Sequence, residues 1–279
     1  MLDLCLLETI EYDFTADGVV DYTVHHTYNA IGALIGVEGM NAEGVIDYEE
    51  HLRYDTAGQL IEKVAEELDE GREAVRYSYD EAGNLIQVDD DYDGDGIVDA
   101  VTTYTYNAQA QPIEIFTESL NSDQTYRIQY EYDEIGRESS YRYARDEALV
   151  HLDLFFYDDR DQRIRTDRYG PDAVTRIAIF TNQYDEDGNR VASANDTNAD
   201  GVPESSRQYT FDERGNEILT QIDGNNDGVF DAEVLFAYEA DRLIQQAVDR
   251  DADGIADSVT DYTHRCETRT VYLPELVER

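Results

Sequence analysis

The chain has 279 residues, with 64 Asp and Glu against 21 Lys and Arg, a net charge of −43, 22 Tyr, no Trp and two Cys. So strong a polyanion repels phosphate backbones and anionic headgroups, which excludes nucleic acid and membrane surfaces as natural partners and favours cations. The apolar fraction of 41% and the many tyrosines argue against disorder, and no apolar run is long enough for membrane insertion.

The first residues, MLDLCLLETIE, have no basic start and no small-residue cleavage site, so they do not read as a signal peptide. The chain is therefore expected to be cytosolic, already processed or a fragment. Residues 1–12 read as an N-terminal capping strand. Cys5 near this end and Cys266 near the other form neither a disulfide framework nor a metal-site spacing.

From residue 13 to residue 264 one pattern returns every 25–27 residues, giving about nine units. Its anchor is an aromatic residue at Tyr28, Tyr54, Tyr79, Tyr106, Tyr132, Tyr157, Tyr184, Phe211 and Tyr238, with His264 where a tenth would fall. A second aromatic two residues earlier, as in Tyr77 and Tyr79 or Tyr104 and Tyr106, places both rings on one face of a strand. A Y-D-x-x-G turn follows, with Gly at 32, 58, 83, 136, 188 and 215, suited to a short hairpin with a bulge. Seven residues past the anchor a β-branched residue marks the returning strand, as at Ile61, Ile86 and Ile218. Residues 59–70 (QLIEKVAEELDE) are the one helix-like stretch, and they fall where the repeat requires strand and loop.

The expected fold is all-β: a repetitive antiparallel hairpin meander, as a solenoid or spiral sheet, with acidic loops along one edge and residues 265–279 as a C-terminal capping segment. About twenty strands in an open sheet would hold Cys5 and Cys266 some 90 Å apart, too far for a disulfide. Two inert buried thiols are then the plain expectation. Free edges at both ends suggest head-to-tail self-association into a filament.

Opposite the Y-D-x-x-G turns, four units carry D-x-[DN]-x-D-G-x-x-[DE], each starting 15 residues before the next anchor. The expected metal ligands are Asp91, Asp93, Asp95, Ile97 (carbonyl) and Asp99; Asp196, Asn198, Asp200, Val202 and Glu204; Asp223, Asn225, Asp227, Val229 and Asp231; and Asp249, Asp251, Asp253, Ile255 and Asp257. A weaker copy offers Asp13, Asp17 and Asp21, and residues 39–47 a decayed one. Oxygens at alternate positions, a Gly at position 6 for the turn and an acid at position 9 make a hard oxygen cage, which selects Ca²⁺. Position 12, where a bidentate Glu belongs, is Thr102, Arg207, Val234 or Thr260. The missing ligand implies weak sites, roughly 10⁻⁴–10⁻³ M, matched to calcium outside cells.

The frame YSYDEAGNLI of residues 77–86, echoed at 52–61 and 209–218, resembles the YD repeats of the RHS family, and the aspartate loops resemble thrombospondin type 3 and dockerin-type modules. The RHS resemblance implies spiralling β-sheets that can close into shells around toxins.

No H-E-x-x-H, G-x-S-x-G, P-loop or dinucleotide glycine pattern is present, so no enzyme is expected. The leading expectation is a calcium-stabilised, secreted or cell-surface repeat protein with a structural or adhesive role. Two alternatives stand beside it: a carbohydrate-binding module with a glycan or cell-surface partner, its site within the degenerate residues 118–176, or a fragment of an RHS-like shell.

Overall fold

The computed structural model describes residues 2–68 and 71–269, which form twenty strands and no helix. The first ten are β1 (Leu2–Asp13), β2 (Tyr22–Tyr28), β3 (Leu34–Asn41), β4 (Ile46–Tyr54), β5 (Leu60–Glu67), β6 (Gly71–Tyr79), β7 (Leu85–Asp91), β8 (Ala100–Tyr106), β9 (Pro112–Ser119) and β10 (Thr125–Tyr132). The others are β11 (Glu138–Arg145), β12 (Ala148–Tyr157), β13 (Arg163–Tyr169), β14 (Arg176–Tyr184), β15 (Arg190–Asp196), β16 (Ser205–Phe211), β17 (Glu217–Asp223), β18 (Ala232–Glu239), β19 (Arg242–Asp249) and β20 (Ser258–Arg269). The helix-like stretch is strand over Leu60–Glu67, because β4 and β6 pair with it on both sides. Tertiary pairing overrides local propensity there.

Each strand is antiparallel to the next, and every anchor residue sits at a bulge at or beside the end of its strand, as between Ser78 and Tyr79. The turn that follows is closed by its own first side chain. Asp80 Oδ1 accepts from the N–H of Ala82 (2.9 Å) and of Asn84 (2.8 Å), and Asn29, Asp55, Asn107, Asp133, Asp158 and Asp212 repeat the arrangement. Gly83 sits at φ +90°, a conformation that glycine adopts without a Cβ penalty.

The anchor hydroxyls form a second periodic bond. Tyr79 donates to the carbonyl of Leu60 on β5 (2.8 Å), Tyr106 to Leu85 (2.7 Å) and Tyr132 to Pro112 (2.7 Å), and Tyr28, Tyr54, Tyr157 and Tyr184 do likewise. Each hydroxyl therefore ties one unit to the strand before it, satisfying a carbonyl beside a bulge.

The sheet does not stay open. β1 pairs with β2 on one side and with β20 on the other, from Leu2↔Arg269 to Asp13↔Val259, so the meander closes into a twenty-stranded β-barrel rather than a solenoid or spiral. Cys5 and Cys266 are direct partners at this seam, with Cα atoms 4.0 Å apart, and are disulfide-bonded. The expectations of an open sheet and of two free thiols are both overturned. Right-handed strand twist, accumulated over enough strands, brings the first strand back to the last. The two edges expected to template a filament are consumed by each other. β1 pairs on both of its sides within the wall, and β20 runs through residue 265 without a break; residues 270–279 of the expected C-terminal cap lie outside the described residues.

Strand alternation assigns the two faces. The anchor rings share one face with Tyr77, Val88, Tyr130 and Tyr141. That face is the concave one, since a single depression on it reaches from β10 to β16. Twenty strands about 4.8 Å apart set a circumference of roughly 96 Å and a diameter of about 30 Å before tilt. Packed sheets stand only ~10 Å apart, so side chains cannot fill the interior. Two further observations agree. The accessible surface is 17686 Å², against about 12,000 Å² for a compact monomer of this mass. Among the described residues the buried apolar side chains, moreover, are small ones, Ala65, Ala74, Val88, Ala100 and Ala178. The barrel is hollow.

Candidate functional site: an acidic rim and a divided inner wall

The predicted metal loops all fall on one rim, between β1 and β2, β7 and β8, β15 and β16, β17 and β18, and β19 and β20. They share a backbone frame. The position-1 carboxylate accepts from the N–H of the position-6 glycine: Asp91 from Gly96 (3.0 Å), Asp196 from Gly201 (2.8 Å), Asp223 from Gly228 (2.9 Å), Asp249 from Gly254 (2.8 Å) and Asp13 from Gly18 (2.7 Å). The position-9 acid accepts from the N–H of position 2, as Asp99 does from Tyr92 (2.7 Å), and Asp21, Glu204, Asp231 and Asp257 do likewise. At position 5, Asp17, Asp95, Asp200, Asp227 and Asp253 hold the N–H of Val19, Ile97, Val202, Val229 and Ile255, fixing the peptide that carries each expected carbonyl ligand.

Carboxylate oxygens converge within 4.8 Å in three of these loops: Asp91, Asp93 and Asp99; Asp196, Asp200 and Glu204; Asp249, Asp251 and Asp257. Asp223, Asp227 and Asp231, and likewise Asp13, Asp17 and Asp21, keep the frame without gathering three carboxylates. Asn198 donates to Glu204 Oε1 (2.5 Å), and Asn225 accepts from the N–H of Asp227 (2.9 Å). The position-1 acids Asp91, Asp196, Asp223 and Asp249 are buried, Asp91 and Asp249 to 2% exposure. Asp91 Oδ1 is buried without a hydrogen-bond partner. A carboxylate oxygen held out of water next to two more acids is a costly arrangement that a hard cation would relieve. Charge crowding is visible in Asp251, whose carboxyl is pushed up chiefly by Asp253. For Asp249 burial likewise pushes the carboxyl up, but N–H bonds from Gly254, Asp251 and Asp253 outweigh it and hold it below the ordinary range.

Where the acidic loops lapse, buried acids are neutralised by arginine. Asp153 receives a bidentate pair from Arg168 (2.8 and 2.7 Å), and Asp167 is held by Arg165 (2.5 and 2.7 Å) and Arg176 (3.1 Å). The inner wall is divided accordingly. Around β4–β6 it carries Glu50 and Glu73 about Lys63 (3.3 and 3.8 Å). Between β10 and β16 it carries Arg163, Arg168, Arg190 and Arg207 among aromatic rings. Sequence reasoning placed residues 118–176 apart from the array but missed this arginine wall. The signal was at the sixth position past the anchor, where Leu34, Leu60, Leu85 and Pro112 give way to Arg163 and Arg190. His26 stacks on Tyr28, and burial pushes its imidazole down.

The outer face carries ion pairs such as Glu62 with Arg53 (3.0 Å) and Arg76 (3.4 Å), and among the described residues no helix is long and apolar enough to cross a membrane.

Residues 54–96 match the RHS Repeat family model. Comparison with curated proteins gives no match. Among solved structures the chain is similar to one in the crystal structure of TcdB2-TccC3-Cdc42, at 18% identity and TM-score 0.51, over 89% of this chain and 15% of that one. A structure of TcdB2-TccC3 without its hypervariable C-terminal region gives 18% identity and TM-score 0.49 over 84% and 14%. A porin-like protein from Bacteroides uniformis gives 12% identity and TM-score 0.39 over 93% and 96%. This chain thus spans about 15% of the length of the first chain it matches. Over residues 54–96 the hairpin unit resembles the RHS repeat, and the sheet as a whole is similar in fold to a chain of TcdB2-TccC3-Cdc42.

Proposed function

We propose that this barrel is a wall-forming enclosure akin to a section of an RHS shell, with a calcium-stabilised rim, working outside the cell. The observation that carries this reading is the closed, hollow ring of twenty strands built from YD-type hairpins. Closure removes the free strand edges on which the filament reading depended, so the shell reading is preferred to the adhesive one. Calcium at Asp91–Asp99, Asp196–Glu204 and Asp249–Asp257 would offset repulsion among acids crowded on one rim. Weak sites of that kind fill at extracellular calcium, which is the basis for placing the protein there.

Enclosure is tested by reagent size. Cysteines are introduced singly at Thr166, on the inner face, and at Arg142, exposed on the outer face; the two native cysteines are already bonded. A small maleimide should label both, and a bulky polyethylene-glycol maleimide only position 142. Equal labelling of both positions by the bulky reagent would contradict an enclosed interior.

A further inference from the structure

The protein carries 64 acids, yet on one stretch of inner wall three guanidinium groups have no carboxylate partner among the described residues. Arg163, Arg190 and Arg207 are exposed to the lumen and take part in no ion pair. Two of them are held by other means. Arg163 lies over the Phe155 ring (4.8 Å to its centroid), and Arg190 lies over Tyr209 (4.7 Å) and donates to its hydroxyl (3.2 Å). That hydroxyl is also bonded to Ser193 Oγ (3.1 Å). Guanidinium planes stacked on rings have lost much of their rotamer freedom beforehand, so less is lost on binding.

The spacing is regular because the fold is. Arg163 and Arg190 occupy equivalent repeat positions on β13 and β15, two strand spacings or about 10 Å apart. Arg207 faces Ser193 on β15, three residues or about 10 Å along from Arg190. All three border a depression of about 760 Å³, within the size range of small-molecule sites. The three guanidinium forks and the Thr166 hydroxyl supply donors there, Ser193 is engaged by Tyr209, and the Glu138 carboxylate lines the same depression. Asp153, the nearby buried acid, is already engaged by Arg168.

We propose that the inner wall between β13 and β16 binds a small molecule bearing two or more phosphate groups. A ligand with several anionic groups can engage arginines whose backbone positions stand about 10 Å apart better than a single anion can. A phosphate group offers three acceptor oxygens, the geometry that arginine forks recognise. The site stands on barrel closure and its curvature, and is independent of calcium.

The test is calorimetric titration of the full chain with inorganic tripolyphosphate, orthophosphate and a tricarboxylate, in chelator so that calcium does not sequester the probe. Tripolyphosphate should bind at least tenfold more tightly than the other two. The double variant Arg163→Gln/Arg207→Gln should weaken it at least tenfold with an unchanged melting temperature. Arg142→Gln, an exposed and equally unpaired arginine on the outer face, should change it less than twofold. Absence of tripolyphosphate binding, tighter binding of the tricarboxylate, or an equal loss in Arg142→Gln would each overturn the proposal.

Discussion

Cys5 and Cys266 are 261 residues apart in sequence and directly opposed on β1 and β20, and their disulfide lies at the one seam where the twenty-stranded ring could open. Arg242 sits against it, with Nη1 3.0 Å from one sulfur and 2.5 Å from the other. Two closures act here together, one covalent and one made of backbone pairs from Leu2 to Asp13. Replacing both cysteines by serine should lower stability by about 3–5 kcal/mol, since so long a loop strongly restricts the unfolded chain. The ring should nonetheless stay closed. Urea unfolding gives the first quantity, and hydrogen-exchange protection of β1 and β20 reports the second.

Tyr79→Phe removes the donor to the Leu60 carbonyl without changing shape. The expected loss is about 1 kcal/mol, read as a fall of roughly 2 °C in melting temperature. Phe211 is the natural counterpart, an anchor without a hydroxyl. Phe211→Tyr should raise the melting temperature by a similar amount.

The same hydroxyls set an alkaline limit. Burial pushes Tyr28, Tyr79, Tyr106 and Tyr132 above their ordinary value, and Tyr22, buried and bonded to Asp47, is pushed up to about 12. A folded-state pKa above the unfolded value of 10.0 means stability that is complete below pH 10 and lost as pH rises toward 12. Phenolate absorbance should therefore rise late and together with unfolding. A smooth titration centred on pH 10 in a folded protein would contradict this.

Arg168→Ala should be among the most damaging single changes. It leaves Asp153, 6% exposed, as a buried charge without its bidentate partner. The expected loss is about 3 kcal/mol, at the low end for a buried pair because the arginine itself is partly exposed. Asp153→Asn in the same background should recover most of it, as denaturant midpoints will show.

Calcium added to a chelated sample should raise the melting temperature. With sites near 10⁻³ M, a tenfold excess of calcium stabilises by about 1.4 kcal/mol per occupied loop. Asp249→Asn should remove one such increment, and Asp223→Asn, in a loop whose carboxylates do not gather, should remove less.

Much of this architecture was legible in the sequence because it is local. Tyr77 and Tyr79 declare a strand face by their spacing, and Asp80 and Gly83 declare the turn that follows. The acidic frames were legible for the same reason, since Asp91 and Gly96 meet within one loop. Closure was not legible. No single unit records the strand number at which accumulated twist and tilt return β20 to β1, and a straight array made Cys5 and Cys266 look unreachable. The arginine wall was hidden differently: Arg163, Arg190 and Arg207 lie in separate units and come to one face only through strand pairing and the bulges that set each strand's register.

Small-angle X-ray scattering of the calcium-loaded protein tests the closed barrel most directly. A closed ring about 30–40 Å across predicts a monomer with a radius of gyration of roughly 20–22 Å and the oscillation of a hollow cylinder at higher angle. An open ribbon of the same strands, roughly 96 Å long, gives a radius near 30 Å without that oscillation, and observing it would contradict the account.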